Sequence, residues 1–383
     1  MKIKTKIIHS GMDKDPYTGA SSIPIYQVST YAQEDPIKLG KYDYGRSDNL
    51  TRHAVEKAIA NLEGGVKGFA FGSGMAAISS VFLLFKPGDS IIITEDVYGG
   101  TYRVLNTIFK NWGLKSIFID MSDPEMIIKA IGPDTKAIFV ESPSNPVLKI
   151  IDLSAVSEIA KKFNLISIID NTFMTPYLQR PIEFGFDIVI HSATKFLGGH
   201  SDLIAGIVVV KNEELAVKIK KIQNSFGAIL GPMDSFLLHR GLKTLAVRLE
   251  AQQKTAFELA KWFVNQKGVK KVFYPLLDGH VGKEIHMRQA DGGGAVLSID
   301  FETFDIAYKF MKNVKIPLLG VSLGGVESIL SYPATMSHAS MPESERLRRG
   351  ISNSLVRLSV GLEDVDDLKE DFSSAFKIAL GKS

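Results

Sequence analysis

Apolar residues along this chain recur in two rhythms. From about position 68 to 210, short unbroken apolar runs alternate with stretches in which apolar residues return every three or four positions. The runs at 68–71, 90–94, 116–119, 137–141, 165–170, 187–190 and 204–210 predict strands. The periodic stretches at 74–85, 101–112, 125–131 and 154–163 predict helices. Pro87-Gly88 and Gly132-Pro133 supply stop signals after two of them. Strands covered by helices on both faces read as continuous apolar runs, so the alternation predicts an α/β domain with a mostly parallel sheet. The last run, 204–210, is compatible with an antiparallel edge strand.

The texture changes after Pro232. Positions 233–266 hold no proline and one glycine, Gly241, and predict a long helix, broken near that glycine, that bridges two domains. Strand-like runs at 269–274, 295–301 and 355–360 and a helix at 305–313 predict a smaller α+β unit. The first 45 or so residues are rich in turns and aromatics, with little periodicity. They read as an arm laid on another surface. The expected division is an arm over 1–46, an α/β domain over 47–245 and an α+β domain over 246–383.

Bulk properties narrow the function. A chain of 383 residues exceeds one ordinary core. Its 45 basic against 42 acidic residues give a net charge of +3, which argues against nucleic acid or an anionic membrane as main partner. No apolar run reaches the roughly 18 residues of a membrane helix, and the basic N-terminus lacks a signal-peptide core. A cytoplasmic location is the simplest expectation. The absence of cysteine excludes disulfides, thiolate metal sites and cysteine nucleophiles.

The candidate chemistry centres on Asp187-Ile-Val-Ile-His-Ser-Ala-Thr-Lys195-Phe-Leu-Gly-Gly-His200. A strand runs into the hydroxyls of Ser192 and Thr194, then a lysine, then a Gly-Gly turn. A lysine there can condense with an aldehyde while the hydroxyls hold a phosphate, and pyridoxal 5′-phosphate (PLP) carries both groups. A surface lysine after a strand is the plainer alternative. Asp170 ends the run at 165–170, 25 positions earlier, where ligands of a parallel sheet sit. An anionic group there can pair with a protonated pyridine nitrogen. A helix N-cap is the plainer reading.

Four further segments fit. Gly74-Met75, opening a helix after a strand, can bind a phosphate through backbone amides. The segment lacks the third glycine of a dinucleotide motif, which disfavours a nicotinamide enzyme. Tyr98 can stack on a planar ring and relay a proton, or lie half-buried in a core. Asn145, set between prolines, can hydrogen-bond cofactor and carboxylate, or merely turn the chain. Arg357, inside an apolar strand, needs a carboxylate from substrate or from the protein.

With these segments in view, the chain resembles the cystathionine γ-synthase, cystathionine lyase and methionine γ-lyase family of PLP enzymes. The likeness runs from His9-Ser-Gly to Leu-Ser-Val-Gly-Leu-Glu-Asp364. It is carried by Ser192-Ala-Thr-Lys195-Phe-Leu-Gly-Gly-His-Ser-Asp202 and by Val321-Ser-Leu-Gly-Gly-Val-Glu-Ser328 with Met336-Ser-His-Ala. The resemblance implies an aspartate-aminotransferase-like fold of type I, with a mostly parallel seven-stranded sheet domain and a smaller C-terminal domain. It implies that Lys195 holds PLP and shuttles protons, that Asp170 pairs with the ring nitrogen and that Tyr98 stacks on the ring. Gly74, Met75, Ser192 and Thr194 would hold the phosphate, joined by Tyr44 and Arg46 of a neighbouring subunit. Arg357, Asn145 and the backbone near Ser322 would take the substrate carboxylate. A homotetramer built as a dimer of site-sharing dimers follows from the same likeness.

Departures from the family refine the expectation. Tyr98-Gly99-Gly100 lacks the cysteine usual in methionine γ-lyases, and Val321 stands where many relatives carry glutamate. Asn49-Leu50-Thr51 replaces the usual Asn-Pro-Thr. The expected activity is a carbon–sulfur lyase acting on cystathionine and related sulfur amino acids by β- or γ-elimination. The alternatives are a γ-synthase, a methionine γ-lyase, or a regulatory protein that has kept the fold.

Overall fold

The computed structural model describes residues 1–11, 14–15 and 18–381. The first sheet holds seven strands: β1 (Lys67–Phe71), β2 (Ser90–Thr94), β3 (Lys115–Ile119), β4 (Thr135–Glu141), β5 (Ile166–Asp170), β6 (Ile188–Ser192) and β7 (Gly206–Val210). Their spatial order is β1-β7-β6-β5-β4-β2-β3. From β6 to β3 neighbours pair in parallel, whereas β7 is antiparallel to both β6 and β1.

Burial on both faces explains the unbroken apolar runs. Ile92, Ile138, Ile169 and Val189 enter one core, while their chain neighbours Ile91, Ile93, Phe139, Ile168, Ile188 and Ile190 enter the other. The expectation for 204–210 needs correction in one respect: β7 is antiparallel but lies inside the sheet. Every one of its residues is buried, because β1 covers its outer edge.

The second sheet has the order β10-β11-β12-β9-β8, from β8 (Val269–Phe273), β9 (Val296–Phe301), β10 (Leu318–Leu319), β11 (Ile329–Ser331) and β12 (Leu355–Ser359). Helices Phe304–Asn313 and Val365–Ala379 cover it. Their core is aromatic, with Phe310 and Phe376 in ring contact with each other and each with both Phe263 and Phe301.

Two expected helices are interrupted. The stretch 101–112 divides into α-helix Gly99–Val104, a π-helical turn Leu105–Phe109 and a short α-helical end. The widened turn lets Leu105 and Phe109 face the core while Ile108 stays exposed. The stretch 233–266 divides into Pro232–Leu242 and Leu245–Val264.

The joint between these two helices bears on the site. A Cβ on Gly241 would lie 2.3 Å from the Gly198 carbonyl oxygen, so only glycine lets the helix pass this close to the turn after Lys195. Buried Arg248 donates to the Phe196 and Gly241 carbonyls at 2.8 and 2.9 Å. One turn on, the Gln252 amide donates to the Gly325 and Val360 carbonyls at 2.8 and 3.0 Å. Residues four apart share a helix face. That face therefore ties the loop of Lys195 to the segments carrying Ser322 and Arg357.

Helices Leu50–Glu63, Glu213–Phe226 and Glu343–Arg348 lie outside the expected elements, as do the short strands β10 and β11. The first is capped by Asn49, whose side chain accepts the N–H groups of Thr51 and Arg52. No helix among the described residues is long and apolar enough to cross a membrane.

Candidate active site

Parallel strands end on one edge, and at that edge the chain builds a cavity of about 520 Å³. The turn after β1 brings Ser73, Gly74 and Met75, and the loop after β2 brings Tyr98. β4 and β5 end in Glu141 and Asp170, with Asn145 just beyond. The end of β6 brings Ser192, Thr194 and Lys195. The second sheet and its loops close the far wall with Val321, Ser322, Ser331, Met336 and Arg357. A larger groove at the opposite edge of the sheet has a mixed-charge lining that includes Asp89, Lys136, Asp187 and Lys211, with no convergent set of groups.

The charges in the cavity are unusual. Lys195 donates to the Ser322 hydroxyl at 2.6 Å. Burial, and then the Arg357 charge, push its amine down to about 8. Asp170 accepts the Thr172 hydroxyl at 2.5 Å and the Thr172 N–H at 3.0 Å. Burial nevertheless raises its carboxyl above the usual range. Glu141, its register partner on β4, is raised well above the usual range by burial and by the Asp170 charge. Arg357 is 2 % exposed and donates to Asn145 Oδ1 at 2.9 Å, the Ser322 carbonyl at 2.6 Å and Ser331 Oγ at 3.1 Å. These partners are all neutral, and its Nε has none. Burial lowers it to about 10. The protein carboxylate that could have explained an arginine in this strand is missing from its hydrogen-bond partners.

Local geometry fixes several of these groups. Ser322 adopts φ +95°, a strained conformation for a non-glycine residue, and points its carbonyl at Arg357 while its hydroxyl meets Lys195. Gly100 has no Cβ because one would lie 2.4 Å from the Tyr98 ring. The Ser73 side chain caps helix Gly74–Phe82 by accepting the Ala76 N–H, and Gly74 and Met75, which open that helix, line the cavity. A side chain at Gly74 would strike Ser192. Thr194 Oγ1 both donates to and accepts from the Ala205 backbone.

Two residues were expected to serve a neighbouring subunit's site, not their own. Tyr44 and Arg46 do not line this cavity; Arg46 sits 5.5 Å from the Tyr44 ring and donates to Asn224 Oδ1 at 3.4 Å. Four residues gained no role from the sequence. Thr172 hydrogen-bonds Asp170, Glu141 stands in register beside it, Ser337 lines the wall, and Arg103 stands exposed at the cavity, shortly after Tyr98, without an ion pair among the described residues. Glu141 carried a readable signal, since it ends an apolar run in the same way as Asp170.

The residues fit PLP. A buried carboxylate with no ion pair among the described residues suits the protonated ring nitrogen, helix-start amides beside a glycine suit a phosphate, and an amine with depressed basicity suits an aldehyde. Fold and cavity together define a PLP-dependent enzyme of fold type I. The chain belongs to the Cys/Met metabolism PLP-dependent enzyme family, whose model matches residues 4–377. It is 52% identical over 375 residues to cystathionine beta-lyase MetC of Bacillus subtilis, covering 98% of this chain and 96% of that one. It is 48% identical over 377 residues to cystathionine gamma-lyase of the same organism, covering 98% and 100%. The structure of cystathionine gamma-lyase from Lactobacillus plantarum complexed with L-serine superposes with TM-score 0.97 at 43% identity, covering 99% and 100%.

Proposed function

We propose that this enzyme cleaves a carbon–sulfur bond of cystathionine and related sulfur amino acids. The observation that carries the choice of substrate is a pair of arginines without an ion pair among the described residues: Arg357 buried at the inner wall and Arg103 exposed at the mouth. A substrate with a carboxylate at each end answers both. The names of the 52% and 48% identical relatives, a β- and a γ-lyase, support the same substrate.

PLP, when bound, supplies an aldehyde for the substrate amine and a protonated ring that draws electrons from Cα. In this reading Asp170 faces the ring nitrogen and Tyr98 lies against the ring. The Gly74 and Met75 amides and the Ser192 hydroxyl take the phosphate, and Thr194 joins them by turning its hydroxyl from Ala205. Arg357 and Asn145 orient the substrate's α-carboxylate. Lys195 would hold the aldehyde and, when free, take the proton from Cα; its depressed basicity keeps a useful fraction neutral near pH 8. Ser322 steers that amine. Tyr98 assists departure of the sulfur, and the apolar Val321 accepts the thioether chain. With one water, β-elimination gives homocysteine, pyruvate and ammonia, and γ-elimination gives cysteine, 2-oxobutanoate and ammonia.

The decisive experiment identifies the oxo acid released from cystathionine and repeats the kinetics with Arg103→Ala. The variant is expected to raise KM for cystathionine about tenfold, the scale of one solvent-facing charged hydrogen bond, while leaving cysteine cleavage unchanged. Equal effects on both substrates, or no oxo acid from cystathionine, would defeat the assignment.

The same reading includes a homotetramer of site-sharing dimers in the cytoplasm, with Tyr44 and Arg46 of the 1–46 arm reaching a neighbour's phosphate; helix Ile3–His9 of that stretch packs on its own chain, with Ile7 buried in the first core. Its support is the exposure of Ile25, Ile37, Leu39 and Tyr44, with Ile37 93 % exposed. Sedimentation velocity is expected to give about four times the chain mass of 42.0 kDa; a catalytically active monomer would rule the exchange out.

A further inference from the structure

Glu141 has no part in the roles above, yet it connects three of them. It ends β4 in register with Asp170 at the end of β5. In-register residues of parallel neighbours project to the same side of a sheet. One oxygen of its carboxylate accepts the Tyr98 N–H at 2.8 Å, and the other accepts the Asn145 N–H at 3.1 Å. The side chain is buried, and Arg357 is a cation on which its charge acts. A glutamate serving only a local turn would grip one loop. This one grips two, from different strands, each carrying one wall of the cavity.

We infer that Glu141 is a positioning residue for the reaction: one buried carboxylate sets the Tyr98 wall and the Asn145 arm in fixed relation and adds its charge to Asp170 behind the seat of the ring nitrogen. The inference rests on the roles proposed above for Tyr98, Asn145 and Asp170. Burial and the Asp170 charge hold the Glu141 carboxyl well above the usual range; a cationic ring seated at Asp170 would favour its ionised form, in which the two amides make charge-assisted hydrogen bonds. Burial makes the second function electrostatic as well, because a neighbouring anion tightens the hold of Asp170 on a cationic ring.

Two substitutions separate grip from charge. Glu141→Gln offers one oxygen where two amides need acceptors, and removes the charge. Glu141→Asp keeps the charge but is too short to hold both amides. The readouts are the PLP dissociation constant on either side of neutral pH, the visible circular dichroism of the bound cofactor, and kcat and KM. Glu141→Gln is expected to weaken PLP binding about tenfold, the equivalent of one pKa unit at the ring. It should also lose much of the visible dichroism and lower kcat by roughly tenfold or more. Glu141→Asp is expected to keep PLP affinity within about threefold while sharing the dichroism and kcat defects.

Wild-type dichroism and kcat in both variants would overturn the inference. If Glu141→Gln does not fold, Glu141→Asp alone decides by the same two readouts. Asp170→Asn is the control for the underlying reading. Should it hold PLP as tightly as the unaltered enzyme, the seat itself is wrong; should it lose PLP while both Glu141 variants behave normally, only the role of Glu141 falls.

Discussion

Replacing Lys195 by alanine is expected to lower kcat by about 10⁴-fold or more while the fold survives. Lys195 is the one lysine among the residues that line the cavity, so no second amine stands ready to take its place. Its hydrogen bond to Ser322 fixes where the amine points, and burial lowers the proton affinity it would need to give up. Removal of a buried amine with no carboxylate partner takes away an unfavourable desolvated charge, so stability should change by about 1 kcal/mol or less. Steady-state kinetics with a thermal melt on the same sample test both halves. Residual turnover within tenfold of the parent would remove Lys195 from the chemistry. The depressed basicity also sets a direction with pH. Only the neutral amine attacks an aldehyde, so the rate at which apoenzyme recaptures PLP should climb towards pH 8 and level off above it. An unshifted lysine would still be climbing near its ordinary value of about 10.4.

Arg357→Leu should be the next most damaging change, acting through substrate affinity. The guanidinium is buried and held by Asn145, Ser322 and Ser331, with no carboxylate among its hydrogen-bond partners. It is thus pre-oriented for a carboxylate that comes and goes. Loss of one member of a desolvated charge pair costs about 3 kcal/mol, a factor of roughly 100 in kcat/KM, carried mainly by KM. Arg357→Lys should recover only part of this, because an ammonium cannot reproduce the planar fork. An unchanged KM for cystathionine in the leucine variant would show that the α-carboxylate binds elsewhere.

Much of the first sheet is legible in the sequence because each of its strands is buried on two sides. The runs ending at Thr94, Glu141 and Asp170 carry their strand boundaries openly. What sequence order does not encode is lateral pairing. β7 inserts between β1 and β6, a join between segments more than a hundred residues apart, and no local pattern marks it. Gly241, just before the break at positions 243–244, likewise yields space to the distant Gly198 carbonyl, an approach no local pattern marks. The cavity follows the same division. Gly74, Met75, Tyr98, Asn145, Asp170, Ser192, Thr194, Lys195, Val321, Ser322 and Arg357 surround it, most of them just past strand ends, where chemistry-bearing residue types stand out. Thr172 escaped notice because its work is to hold Asp170, and a threonine shortly after an aspartate is ordinary by itself; Glu141 ends its run as Asp170 does, but its grip on two loops shows only in the fold. Tyr44 and Arg46 lie outside the cavity of their own chain, and only the family likeness gives them a role.

The helix face bearing Arg248 and Gln252 works as a caliper. One jaw touches the carbonyl beside Lys195, the other the carbonyls near Ser322 and Arg357. One extra residue between the jaws would rotate one against the other by about 100° and slide it about 1.5 Å, enough to part an amine from a hydroxyl now 2.6 Å away. The length of that helical turn is therefore as much a catalytic specification as any side chain, and loops on the outer surface are where this chain can grow or shrink without touching its chemistry.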